Sequence, residues 1–132
     1  MPDLQPIAQP EPLGLVRVID GMLQPRIYQL SAGPQGTVIG GVETEGSCIT
    51  DVAADVSPQH LVIWQQESHW WCQGLDSANG TQLVDGATKA MINVELPRIL
   101  RQGEPVHPVE VHPGDALCLG LRTRFLVLVV KE

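Results

Sequence analysis

The chain has 132 residues, a length typical of one domain, and 43% of them are hydrophobic, which is enough to build a core without disulfide or metal support. The formal charge of −7 argues against nucleic acid or an anionic membrane surface as a partner, since both favour basic proteins. No signal-peptide pattern opens the sequence, and the longest apolar run, residues 125–130, is far shorter than the roughly 20 residues that cross a bilayer.

The first 13 residues, MPDLQPIAQPEPL, contain four prolines. Proline fits neither a helix interior nor a central strand. We therefore interpret residues 1–13 as an extended leader or linker and residues 14–132 as the folded domain.

From there on, short apolar segments alternate with turn sequences rich in Gly, Pro, Asn and Asp. Nine strands are predicted, at residues 15–19, 26–30, 37–39, 60–66, 69–75, 81–84, 108–111, 116–121 and 124–130. Residues 86–106 form a long insertion before the last strands, with room for another strand at 91–96 and a turn at Pro97. Such regular spacing is typical of a β-sandwich or barrel.

Two Trp-bearing strands flank Glu67 and Ser68, which predicts a hairpin with Trp64 opposite Trp71. Side-chain alternation then turns one set of residues toward the core, namely Leu61, Ile63, Trp70 and Cys72. The other face receives Val62, Trp64 and Trp71. Two interpretations stay open for that face: a cross-strand pair that stabilises the sheet, or an apolar patch that docks a partner or a second copy. Residues 91–99 of the insertion could also fold over it.

Cysteine and histidine show no spacing typical of a metal site, so we expect no metal and no cofactor. The three cysteines, an odd number in apolar contexts, predict reduced thiols in a cytoplasmic protein. A catalytic triad of Ser57, His60 and an aspartate, Asp51 or Asp55, is compositionally conceivable. Ser and His three residues apart at the start of a strand are equally accounted for by a scaffold role.

Four short motifs occur in the same order as in a known domain family. IGG (39–41) ends a strand, VSPQH (56–60) opens the next, LDSANGT (75–81) follows the double Trp, and PGDALCLG (113–120) precedes the final strand. Together they resemble the forkhead-associated (FHA) domain, whose motifs read Gly-Arg, Ser-x-x-His, Ser-x-Asn-Gly-Thr, and Gly-Asp followed by Leu-Gly. The resemblance covers about residues 15–130. It implies an all-β sandwich of about eleven strands that binds phosphothreonine peptides through loops at one end.

The resemblance also assigns residues. Ser57 would meet the phosphate and Asn79 would hold the main chain of the peptide, while the other ligand-facing positions are Gly41, Pro58 and Ala78. A second set would serve as scaffold: Gly40, His60, Gly80 and Thr81. Local backbone preferences are consistent with these roles. Pro58 favours an extended backbone at Ser57, and Asn79-Gly80 is a typical turn pair.

Three of the five ligand-facing positions depart from the family motif. Gly41 replaces the phosphate-clamping arginine, Pro58 replaces Arg, Asn or Lys, and Ala78 replaces a hydroxyl residue, so all three side-chain donors are lost. No Lys or Arg lies between Ile27 and Thr88, a stretch that contains seven acidic residues.

We therefore expect an FHA-type protein-interaction module for signalling or scaffolding, and not an enzyme. Its partner would be a protein or peptide, with binding of phosphothreonine weakened or lost, and a homo-oligomer is among the arrangements we consider. The alternative is genuine phosphothreonine recognition by Ser57 and Asn79 with a cation from the insertion. That cation would be Lys89, Arg98 or Arg101.

Overall fold

The computed structural model describes residues 11–131, and in this part of the chain eleven strands form two sheets. In chain order the elements are β1 (Leu13–Ile19), β2 (Met22–Gln29), β3 (Thr37–Ile39), β4 (Cys48–Ile49), β5 (Leu61–Gln66), β6 (His69–Gly74), β7 (Thr81–Val84), β8 (Met91–Glu95), α1 (Arg98–Arg101), β9 (Val109–Val111), β10 (Ala116–Leu119) and β11 (Thr123–Val129). The predicted all-β sandwich is confirmed, and each of the nine predicted strands corresponds to one of these elements.

The two sheets have six and five strands. The six-stranded sheet has the order β2-β1-β11-β10-β7-β8 and is antiparallel throughout. The five-stranded sheet has the order β4-β3-β5-β6-β9, and its β3–β4 pair is parallel. Because β7 and β8 belong to one sheet while β6 and β9 belong to the other, the segments between these strands cross from sheet to sheet at the ends of the sandwich.

The core lies between the inner faces of the two sheets, where alternate side chains of each strand meet. Leu15, Phe125 and Leu117 of the six-stranded sheet are fully buried, as are Leu61 and Ile63 of the five-stranded sheet. Each such side chain contributes about 1.5–3 kcal/mol of stability by leaving water. This continuous core accounts for folding without a disulfide.

The predicted hairpin between β5 and β6 is confirmed. Trp64 pairs with Trp71, and the turn residues Glu67 and Ser68 have φ values of 53° and 68°. Two consecutive positive φ angles are those of a type I′ turn, whose twist matches that of the strands. Trp70 and Cys72 face the core as expected.

The insertion does not lie over the Trp-bearing face, where one of the alternatives placed it. Its predicted strand is β8, which pairs with β7 at the edge of the six-stranded sheet, and Pro97 precedes the short helix α1. Residues 91–99 therefore do not fold over the Trp-bearing face of the five-stranded sheet, and that suggestion was wrong. Pairing with β7 decides the matter, because it satisfies the backbone groups of β8.

The N-terminal end of the described chain is part of the fold. β1 begins at Leu13, one residue before the position at which the sequence places the start of the domain. The Trp70 Nε1–H donates to the Glu11 carbonyl oxygen at 3.0 Å, and the Val130 N–H donates to the Pro12 carbonyl oxygen at 2.9 Å. The other ten residues of the predicted leader lie outside the described residues. From residue 11 to residue 131, no helix has the length and apolar character needed to cross a membrane.

Candidate functional site

Three loops meet at one end of the sandwich and bring the five ligand-facing positions together. The Gly41 N–H, just after β3, donates to the Ser57 carbonyl oxygen at 3.0 Å. The Ala78 N–H, between β6 and β7, donates to the Ser57 hydroxyl oxygen at 3.0 Å. Pro58 follows Ser57 directly in the chain, and Asn79 follows Ala78. Residues separated by up to 38 positions in sequence therefore form one surface.

The two glycines after β3 are not equivalent. A Cβ on Gly40 would lie 2.1 Å from the Pro58 carbonyl oxygen, so only glycine fits against that backbone. A Cβ on Gly41 would lie 3.5 Å from the Val56 carbonyl oxygen, an ordinary contact, and Gly41 is exposed with φ outside the left-handed region. Gly40 is therefore required by packing, whereas Gly41 leaves space where a larger side chain could stand.

This difference gives a paired prediction. Gly40→Ala should lower the free energy of unfolding by about 2 kcal/mol, because the added methyl group overlaps backbone that cannot move freely. Gly41→Ala should leave stability unchanged or raise it by about 0.5 kcal/mol, because it restricts the unfolded chain without strain. Urea denaturation of the two variants and the parent measures both values. Equal losses in the two variants would contradict the assignment.

Ser57 and Asn79 are both held by the protein itself. The Asn79 Nδ2–H donates to the Asp55 carbonyl oxygen at 2.8 Å, and the Ser57 hydroxyl oxygen accepts the Ala78 bond described above. The Ser57 hydroxyl proton can still be donated to a ligand. Asn79 would have to share its amide between Asp55 and a peptide.

His60 ties two of the loops from a fully buried position. Its Nδ1 accepts from the Ser57 backbone N–H at 3.0 Å, which leaves the proton on Nε2, 2.8 Å from the Gly80 carbonyl oxygen. Burial lowers the pKa of His60, although the Gly80 bond and the nearby Glu95 and Asp55 oppose the shift. Both ring nitrogens are occupied by backbone groups, so neither is placed to accept the proton of the Ser57 hydroxyl.

Asp55 links the site to the turn between β10 and β11, a role that sequence reasoning did not assign to it. Besides its carbonyl bond to Asn79, its Oδ2 accepts from the Leu121 N–H at 2.7 Å. Gly120 adjoins the same carboxylate, and its N–H donates to the Gly80 carbonyl oxygen at 2.9 Å. The PGDALCLG motif thus ends beside Asn79, which its distance in sequence does not reveal.

A second unforeseen element is the buried carboxylate of Glu95, at the end of β8. It accepts from the backbone N–H groups of Asp76 and Ser77, each at 2.9 Å, and from the Ser77 hydroxyl. The Ser77 hydroxyl oxygen in turn accepts from the Gly80 N–H at 3.1 Å. Glu95 therefore fixes the backbone of the loop that carries Ala78 and Asn79. Simple alternation along β8 would place Glu95 on the exposed face of Met91 and Asn93. A register shift between β7 and β8 turns it inward, and the sequence does not reveal that shift.

The insertion also contributes two arginines to this loop. Arg101 lies 2.6 Å from the Asp76 carboxylate, 3.6 Å from Glu95, and donates to the Ser77 carbonyl oxygen at 3.1 Å. Arg98 donates to the Asp76 carbonyl oxygen and lies 3.3 Å from its carboxylate. The Arg101 hydrogen bond is the main cause that lowers the pKa of Asp76. Both arginines therefore form ion pairs with Asp76.

Lys89 stands away from the site. It lies in the turn after β7, and its N–H donates to the Asp85 carbonyl oxygen at 2.9 Å. Since β7 leads from Thr81, beside Asn79, to Val84 at its other end, this turn is about 10 Å further along the strand.

The three residues named for an alternative interaction patch lie together on the outer face of the five-stranded sheet. Val62, Trp64 and Trp71 are each half-buried there. The Trp71 ring packs against His69, with 6.3 Å between ring centres, and His69 lies 2.7 Å from Glu110. A polar border therefore adjoins this apolar face.

The chain resembles known proteins in its fold. No curated protein matches the sequence significantly. Three solved structures illustrate the likeness of the fold. The first is an FHA domain from work on phosphothreonine-dependent FHA domain interactions, with 23% identity, coverage of 92% of this chain and 99% of that one, and a TM-score of 0.59. The second is the FHA domain of an Arabidopsis thaliana hypothetical protein, with 27% identity, coverage of 93% and 89%, and a TM-score of 0.59. The third is Mycobacterium tuberculosis EmbR in complex with a low-affinity phosphopeptide, with 20% identity, coverage of 92% of this chain and 25% of that one, and a TM-score of 0.62.

The family model of the FHA domain matches residues 37–120, which is more than half of the chain. The matched segment contains the site described above, from Gly40 and Gly41 through His60 and Asn79 to Gly120. Motifs, fold and comparisons agree, and the chain belongs to the FHA domain family.

Proposed function

We propose that the chain is a protein-interaction module whose binding of phosphothreonine is weakened relative to its family. FHA domains are interaction modules and not enzymes. One observation carries the proposal: the ligand-facing surface is assembled, but Gly41, Pro58 and Ala78 bring no side-chain donor to it. Its partner is then a protein or peptide that is recognised largely through contacts other than those to a phosphate.

The charge of the site supports the same proposal. Phosphothreonine carries about −1.5 to −2 charges at pH 7. Each charge-assisted hydrogen bond to it contributes about 1.5–3 kcal/mol, and each 1.4 kcal/mol is tenfold in affinity. Two cationic side chains beside the loops, those of Arg98 and Arg101, are paired with Asp76. A phosphate would have to compete with that carboxylate.

A second candidate function is phosphothreonine recognition assisted by Arg98. The Arg98 N–H donates to the Ala78 carbonyl oxygen at 3.1 Å, so its backbone adjoins the site, and its side chain is 59% exposed. A rotamer change would take its guanidinium from Asp76 toward a phosphate at Ser57. Arg101 is less suited to this role, because its side chain is only 12% exposed and is held by several acceptors.

Calorimetric titration with phosphothreonine peptides and matched threonine peptides tests the proposal. Because the partner is unknown, a degenerate phosphothreonine peptide library serves as the first probe. We expect at most weak, unselective binding. Micromolar affinity with preference for the phosphorylated peptide would overturn the proposal. If Arg98→Ala then abolished that preference, the second candidate would be established in its place.

The cytoplasm is the location that we propose. Cys48, Cys72 and Cys118 are all free cysteines, as expected in a reducing compartment. Burial raises the pKa of Cys72 to about 12, so this thiol stays protonated and unreactive inside the core.

A further inference from the structure

The outer face of the six-stranded sheet carries an apolar row that crosses every strand. Strand register places one row member on each strand in the order β2-β1-β11-β10-β7-β8: Ile27, Val16, Leu126, Ala116, Val84 and Met91. We propose that this face, here called the apolar row face, docks a second copy of the chain. The two copies would pack sheet on sheet as a symmetric dimer.

The row faces away from the core. Leu15, Phe125 and Leu117 of the same strands belong to the core cluster, and side chains alternate along a strand. Val16 and Ala116 are only 4% and 5% exposed, yet neither belongs to that cluster. An antiparallel sheet that met only water here would be expected to alternate apolar with polar residues.

The most exposed side chains of the row lie at its two ends. Few side chains project from the centre of the face, because Val16 and Ala116 are almost fully buried and Gly14 has no side chain. Ile27 and Val130 approach each other over Gly14, where a Cβ would lie 3.0 Å and 2.6 Å from their methyl carbons. At the two ends of the row, Ile27 and Met91 are 53% and 63% exposed. These two exposed side chains are the ones that a second copy would cover first.

Charge favours a second copy over other partners. Among the described residues at paired strand positions of this face, Arg124 carries a charge. The polar residues outside the row, such as Gln82 and Asn93, are uncharged. A chain of net charge −7 repels its own copies through most of its surface. Apart from Arg124 the face is apolar or uncharged and so matches itself, whereas a basic partner would be drawn to the acidic parts of the surface.

The area is also sufficient. Six strands spaced by about 4.8 Å, with two or three outward residues each, span roughly 25 by 17 Å, or about 425 Å² in projection. The accessible surface of the side chains is larger than this projected area. It approaches the area that each partner buries in a standard interface, about 800 Å². The outer face of the other sheet is narrower, and Trp71 there adjoins Glu110 and Gln73.

Sedimentation velocity of the whole chain from about 1 to 100 μM tests the proposal over the range in which such interfaces form. We expect a dimer whose dissociation constant rises at least about tenfold in Ile27→Glu and in Met91→Glu, because each buries a charge in the contact. Both side chains are exposed in the single chain, so both variants should fold, which thermal unfolding at the lowest concentration verifies.

Val42→Glu is the matched control, since Val42 is 57% exposed, lies in the loop after β3 of the five-stranded sheet and adds the same charge away from the apolar row face. It should leave the dimer intact. A chain that stays monomeric over the whole range would overturn the proposal. So would a dimer that Val42→Glu weakens as much as Ile27→Glu, or one that only Trp71→Ser dissociates, which would place the contact on the other sheet.

Discussion

Gly41→Arg is expected to raise the affinity of the chain for a phosphothreonine peptide about 10- to 100-fold, with no gain for the unphosphorylated peptide. The family places its phosphate-clamping arginine at this position, and a guanidinium can form two charge-assisted hydrogen bonds with a phosphate. Space exists for the side chain, because a Cβ at Gly41 meets only ordinary contacts and a surface cavity of about 400 Å³ adjoins it. Fluorescence anisotropy with paired labelled peptides measures both affinities.

The control for this prediction is Gln35→Arg. It adds the same charge at an exposed loop position before β3, at the opposite end of that strand from Gly41. It should raise the affinity for both peptides slightly or not at all. If the two variants gave equal gains, the effect would be one of net charge, and the scaffold of the site would not be competent for phosphate. If Gly41→Arg gave no gain, further lost donors such as those at Pro58 and Ala78 would have to matter more.

His60→Ala is expected to lower the free energy of unfolding by about 4 kcal/mol. The variant leaves the buried Ser57 N–H and Gly80 carbonyl without partners, at about 1–3 kcal/mol each, and opens a cavity beneath them. Urea denaturation measures the loss. His107→Ala, the same substitution at an exposed loop histidine, should stay within about 0.5 kcal/mol of the parent. A small loss in His60→Ala would show that water replaces the imidazole without cost.

The same histidine should make stability depend on pH in a defined direction. Its pKa is lowered in the folded state, below the ordinary value of 6.5, so the unfolded chain binds the proton more readily. The stability that His60 contributes is then complete above about pH 6.5 and declines as the pH falls below it, until the folded-state pKa is reached. Protonation would also remove the Nδ1 acceptor of the Ser57 N–H. His60→Ala should lack this part of the pH dependence, while His107→Ala should keep it.

Sequence alone determined nine of the eleven described strands and the family of this protein, because both depend on local signals. Alternating apolar residues and turn pairs such as Asp85-Gly86 mark strands and turns wherever they occur. The hairpin that pairs Trp64 with Trp71 followed from its two-residue turn. The ordered motifs around Gly40, Ser57 and Asn79 identified the family and the positions that would face a ligand.

Only the tertiary structure decided what depends on contacts between distant segments. It separated Gly40, which touches the Pro58 backbone, from Gly41, which is open, although the two are neighbours with identical side chains. It showed that Arg98 and Arg101 pair with Asp76, and that Glu95 holds the loop before Asn79. The apolar row face likewise became visible only through strand order, since its members lie far apart in sequence. Sequence patterns report which face of a strand a residue takes, but pairing across the sheets determines which residues it meets there.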